Sequence, residues 1–214
     1  RVAQPASDIC RFLFLGELSA AKGMSDLLRA AAILRDAGTP FELMLAGPDS
    51  ITVTGYRRHV SETKLGNLVT FLGPVDQARR TELFQTVDCL VHPSLSEAMP
   101  NTILEAAAAG LPVIATAVGC VPELFAATAR PGNEEVCWAA ISPLVRSSDP
   151  VGLARAMARL AENPVLRRSI GEALRRRVAE EYSDARLAER MGEIYRSVLG
   201  DRAGNKLDPE PGRM

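Results

Sequence analysis

The chain has 214 residues and a mass of 23.0 kDa, between one and two domains of ordinary size. Its 47% hydrophobic and 24% charged residues are the balance of a folded globular protein, which excludes a disordered chain over most of the length. The 25 basic and 26 acidic residues cancel to −1, so no overall field draws the protein to nucleic acid or anionic lipid.

In chain order, Phe12 to Leu15, Phe41 to Leu45, Val69 to Leu72, Cys89 to His92 and Val113 to Thr116 read as short buried strands. Their nearly continuous apolar character suits a sheet covered by helices on both faces. Between them, residues 25–37 place Leu27, Leu28, Ala31 and Leu34 on one helical face, with Ser25 as N-cap and Gly38 past the end. Residues 78–86 and 101–109 are helices of similar length, and an alternation at 136–141 suggests a sixth strand. This strand–helix rhythm implies right-handed crossovers and a parallel sheet.

The last third is mainly helical. Asp149-Pro150 and Asn163-Pro164 each read as an N-cap followed by proline at the first helical position. Leu166, Ile170, Leu174 and Val178 form a stripe on the second of these helices, with Arg175, Arg176 and Arg177 beside it as a solvated face or an anion site. A third helix puts Leu187, Met191, Ile194 and Val198 on one side, and the polar residues from Asp201 to Met214 are expected to fray.

The four cysteines, Cys10, Cys89, Cys120 and Cys137, are far apart and form no Cys-x-x-Cys pair. With only His59 and His92 to join them, no metal site is expected; reduced thiols in a cytosolic protein are, although counting leaves one disulfide open. No apolar run approaches the ~18–20 residues of a membrane span, and the first residues lack the shape of a signal peptide. The chain reaches an apolar strand by Phe12, so an excised domain is expected rather than a natural N-terminus.

Ligands of open α/β sheets bind where strands end and helices begin. After the first strand comes Gly16 to Gly23, with glycine where backbone can approach a ligand and Lys22 at the start of a helix. Only three of the 25 basic residues are lysines, which makes one at this junction informative. An ordinary glycine turn explains the same loop. After the fourth strand, Glu97 precedes a helix opened by Pro100 or Asn101, and Glu105 follows about one turn inside it. The free amides of residues 99–102 would then face an anion such as a diphosphate. Taken alone, the two glutamates read better as a capping acid and an acid on a solvated helix face.

Their surroundings decide between these readings. Residues 93–116, from Pro93-Ser94-Leu95-Ser96-Glu97 through Glu105 to Pro112-Val113-Ile114-Ala115-Thr116, resemble the donor-site signature of family-4 (group 1) retaining glycosyltransferases. Those enzymes have the GT-B architecture, two Rossmann-like domains facing a cleft. Gly16 to Gly23 matches the family's glycine–lysine loop, and Val69 to Val75 its strand and turn that meet the nucleotide base. Val118-Gly119-Cys120-Val121-Pro122-Glu123 resembles its Gly-Gly-x-Pro-Glu loop, and the likeness covers residues 12–199.

The resemblance implies that Lys22 binds the donor diphosphate, Glu105 the ribose and Glu97, as the catalytic residue, the donor sugar. Gly16 and the backbone of Met99, Pro100, Asn101 and Thr102 would cradle the phosphates, and Val75 would approach the base. Two positions depart from the pattern. The family's diphosphate-pairing arginine is Glu17 here, a loss of ~1.5–3 kcal/mol of charge-assisted contact. Cys120 replaces a glycine and narrows the loop. His92 and Trp138 read as structural, the tryptophan packing near the domain edge.

The resulting expectation is an α/β, Rossmann-like parallel sheet with helices on both faces, one half of a GT-B fold, with a mainly helical C-terminal segment. Residues 1–200 would form the sugar-nucleotide-binding domain and 201–214 a tail, the N-terminal acceptor domain lying outside the chain. The expected activity is retaining transfer of a hexose from a nucleotide sugar to a hydroxyl acceptor, in polysaccharide or glycolipid synthesis. The partners are that nucleotide sugar and the missing domain, with no cofactor, no metal and no nucleic acid. Peripheral membrane association through the missing domain is left open. The rivals are a catalytically degenerate module, motivated by Glu17, and a nucleotide-sugar epimerase of the same architecture.

Overall fold

The computed structural model describes residues 9–49, 52–126 and 144–204. Six parallel strands form one sheet: β1 (Cys10–Leu15), β2 (Phe41–Ala46), β3 (Val69–Gly73), β4 (Cys89–His92), β5 (Val113–Thr116) and β6 (Leu144–Val145). Their order is β3-β2-β1-β4-β5-β6. The chain therefore steps outward from β1 in one direction, returns to the centre, and steps outward from β4 in the other. Because β–α–β crossovers are right-handed, this reversal sends the two sets of connecting helices to opposite faces. With both faces covered, β4 and β5 are buried at every residue and Phe12, Phe14, Phe41, Leu43 and Leu45 fill the centre of the core.

The helices are α1 (Met24–Asp36), α2 (Val53–Glu62), α3 (Gln77–Thr86), α4 (Asn101–Ala108) and α5 (Val121–Ala126), then α6 (Pro150–Glu162), α7 (Pro164–Glu181) and α8 (Asp184–Gly204). Both proline-led starts form as expected. Asp149 Oδ1 accepts from the Gly152 amide at 2.8 Å and Asn163 Oδ1 from the Leu166 amide at 2.9 Å. Helices α6 and α7 are not an appendage, because α6 packs on α1 and α7 on α4.

Several expectations are corrected. Helix α1 is capped by Gly23 in the left-handed region and starts at Met24, so Ser25 is an exposed first-turn residue rather than the cap. The sixth described strand is Leu144–Val145; the expected one at 136–141 lies outside the described residues, as does Trp138. Helices α2 and α5 leave little apolar pattern to read, since α2 buries only Val60 and α5 has six residues. Arg177 is not simply solvated: its guanidinium donates to the carbonyls of Leu124 at 3.0 Å and Glu123 at 3.2 Å, inside α5. Helix α8 runs past Asp201 to Gly204, and its Leu187, Met191, Ile194 and Val198 are exposed. No described helix is long and apolar enough to cross a membrane.

Gly23 shows how tightly the central loops approach. Its φ is +72°, and a methyl group there would run into the carbonyl of Pro93. An alanine would meet both the left-handed penalty of ~1–2 kcal/mol and that clash. Gly23→Ala should therefore lower the thermal midpoint by at least ~2–4 °C, the shift expected of 1 kcal/mol in a domain this size. An unchanged midpoint in a thermal melt would show that the two loops part easily.

Candidate functional site

The reversal of strand order leaves a crevice between β1 and β4, and the loops leaving these strands meet there. The β1–α1 loop turns through a hydrogen bond from the Gly23 amide to Ala20 O at 2.9 Å. The β4–α4 loop is tied to it, with the Leu95 amide donating to Ala21 O at 2.9 Å and Ser94 Oγ to the same carbonyl at 3.3 Å. From the other side, Thr116 Oγ1 donates to Ser94 O. Gly119, at φ +54°, lies where a methyl group would collide with the carbonyl of Glu97. Residues 93–97 are thus held by the ends of both neighbouring strands.

These ties bring together side chains 75 positions apart. Lys22 Nζ donates to Glu97 Oε1 at 2.7 Å, and His92 Nε2 lies 2.9 Å from that same oxygen. The Glu97 and His92 side chains are 9% and 7% exposed, while Lys22 is 33% exposed. Burial opposes the charge on Glu97, but hydrogen bonds from Lys22 and Ser94 and the neighbouring His92 outweigh it and hold the carboxyl below its ordinary range. An ionised carboxylate only accepts, so His92 Nε2 carries the proton and donates. Nδ1 is then the bare nitrogen, buried and without a partner among the described residues. Burial pushes the His92 pKa down, and the bond to Glu97 only partly restores it.

The second glutamate lies on α4. Pro100 precedes the helix in an extended conformation with no side-chain cap, and the Ile103 amide already turns back to Pro100 O at 2.9 Å. The Asn101 and Thr102 amides, in the first turn, have no intrahelical acceptor. Glu105 is half-buried and accepts from Arg80 Nη1 of α3 through both oxygens, at 3.0 and 2.8 Å. Nothing in the sequence pattern marks Arg80, one of two adjacent arginines on a polar helix.

The other expected site residues lie in the same loops. Gly16 closes β1, its amide bonded to Ala46 O at 3.0 Å, and Val75 is half-buried in the β3–α3 turn. Met99 is exposed, with its sulfur 3.7 Å from the Cys120 thiol. Glu17 is exposed and makes no ion pair among the described residues. Cys10 and Cys89 are free thiols in the core, with burial raising Cys10 to about 12. Among the described residues, no group of His, Cys, Asp and Glu side chains could hold a metal ion.

The family described as "Glycosyl transferases group 1" matches residues 10–163. The D-inositol 3-phosphate glycosyltransferase of Streptomyces coelicolor is 30% identical over 200 residues, which is 87% of this chain and 40% of that protein. Sucrose-phosphate synthase from Thermosynechococcus elongatus superposes with a TM-score of 0.72 at 27% identity, over 90% of this chain and 46% of that one. An Anabaena protein, Alr3699/HepE, solved in complex with UDP and glucose, gives 0.71 at 21% identity over 89% of this chain and 49% of its own. At that identity the last likeness speaks for the fold alone. The chain spans half or less of each of these relatives.

The pKa directions carry a stability consequence. His92 and Glu97 both bind protons more weakly in the folded protein, so falling pH protonates the unfolded chain first. Their contributions are complete above the ordinary histidine value of 6.5 and the ordinary carboxyl value of 4.5 respectively. Each is lost as the pH falls through the lower folded value. Urea midpoints measured from pH 7.5 downward should decline first through the histidine range, and His92→Gln should remove that first decline. Parallel profiles would show that His92 carries no such shift.

Proposed function

This chain belongs to the group 1 glycosyltransferases, and from that membership we propose that it is their sugar-nucleotide-binding half. The observation that carries the reading is the convergence of Lys22, Glu97 and the start of α4 where the strand order reverses. Lys22 is only partly buried, and its ammonium has three donors. One is committed to Glu97, which leaves two for the oxygens of a diphosphate. The amides of Met99, Asn101 and Thr102 add dipoles of the same sign.

In this reading Glu97 contacts the donor sugar, Glu105 the ribose and the backbone at Val75 the base, with Gly16 allowing close approach. Charge building on the departing diphosphate is stabilised by Lys22 and the α4 amides, which are already in place before reaction. The reaction is transfer of a hexose from a nucleotide sugar to a hydroxyl acceptor with retained configuration, in polysaccharide or glycolipid assembly. Residues 1–200 are proposed as the donor domain, with the acceptor site in an N-terminal domain outside this chain. The chain alone should turn over negligibly. We place the activity in the cytoplasm, with any membrane contact peripheral and made through the other domain.

Calorimetry with uridine, guanosine and adenosine diphosphates tests the proposal. One of them should bind, and Lys22→Ala should weaken it roughly 10- to 150-fold, the worth of one hydrogen bond to a charged group. Glu17→Arg should strengthen binding by restoring a cation beside the phosphates. If neither the native chain nor Glu17→Arg binds any of the three at millimolar concentration, the degenerate-module reading replaces this one.

A further inference from the structure

Glu97 and Glu105 each hold a cation from a different element, but the two pairs are not alike. Lys22 lies in a loop and is read as a phosphate ligand. Arg80 lies in the first turn of α3, with no other role assigned. Its Nη1 bridges both oxygens of Glu105 at 3.0 and 2.8 Å, the two side chains being 30% and 35% exposed. Its Nε is buried with no partner among the described residues. A solvated surface pair would leave that donor to water. Here the stem is packed down, and the head is aimed at the carboxylate at the expense of an unmatched N–H.

We propose that Arg80 is a positioning residue for nucleoside recognition. It holds the Glu105 carboxylate in the orientation that accepts the ribose hydroxyls and offsets its charge beside the donor diphosphate. The inference rests on the reading of Glu105 as the ribose ligand. A carboxylate has about four acceptor sites, and Arg80 engages one on each oxygen, leaving the others for the two hydroxyls of a diol. A free glutamate would lose its rotamer freedom when the ligand arrives; with Arg80 in place, that loss is taken at folding. Charge balance points the same way. A diphosphate near Glu97 and Glu105 would be repelled by two uncompensated carboxylates, and Lys22 and Arg80 answer them one for one.

The test compares binding of the nucleoside diphosphate with that of its 2′-deoxy analogue, using the full chain and whichever of the uridine, guanosine or adenosine forms binds. The native protein should favour the ribose form by on the order of 10-fold. Arg80→Leu should weaken the ribose form by about as much and the deoxy form by less than about threefold, so that the preference collapses. Arg80→Gln, which keeps much of the stem but not the charge, should do the same; Arg80→Lys should recover part of the preference. A purely structural pair would instead lower the thermal midpoint and weaken both ligands alike. If the leucine variant fails to fold, Arg80→Gln decides. Native preference in either folded variant overturns the role of Arg80 and leaves the donor-site reading intact. Failure of the native chain to bind any of the three overturns both.

Discussion

The candidate site depends on one topological constraint, the reversal of strand order between β1 and β4. Outward stepping from a shared centre forces the loops after these two strands to diverge to opposite faces, and a crevice opens where they part. The loops are then fastened back across that crevice by backbone and side-chain bonds from residues 94–95 to Ala21. The fastening leaves no room for side chains, which is why Gly23 backs onto Pro93 and Gly119 onto Glu97. A lysine on one side can therefore reach a glutamate on the other at hydrogen-bonding distance.

Charge follows the same logic. Glu97 is nearly buried, and a carboxylate there would be expelled or protonated without compensation. Lys22 and His92 supply it through a single oxygen. Burial disfavours the charged form of His92 despite its bond to Glu97, and its second nitrogen has no partner among the described residues. Glu105, more exposed, is compensated by Arg80 in a pair that water partly screens. Glu17 is exposed and has no ion pair among the described residues, so water rather than a cation compensates its charge.

Much of the architecture is legible in the residues themselves. Phe12 to Leu15 or Val113 to Thr116 has no polar alternation, and only a doubly covered strand tolerates that. Asp149-Pro150 and Asn163-Pro164 announce their helices because the cap and the proline act within four residues. What stays hidden is whatever depends on partners remote in sequence. Ser25 looks like a cap until Pro93 is seen to crowd Gly23, 70 positions away. Arg80 is indistinguishable from Arg79 beside it until α4 is laid against α3. His92 reads as structural from its apolar strand, and it is buried; its bond to Glu97 needs the loop to turn back on the strand end.

The groups also differ in how firmly they are held. The Glu97 and His92 side chains are nearly buried and bonded to each other, His92 closing a strand that is buried at every residue. Lys22, Glu105 and Met99 keep a third to a half of their surface in water. On the proposed reading the division is functional. The carboxylate facing the sugar must be set before the donor arrives, because misplacement there acts directly on the reacting centre. The exposed groups facing the phosphate can close onto the ligand, since binding energy gained away from the chemistry can be used to position it, while on the ribose side Arg80 already orients Glu105. A lysine shared between Glu97 and the diphosphate would link the two regions: the contact that orders the buried carboxylate is also the one that a bound phosphate would tighten.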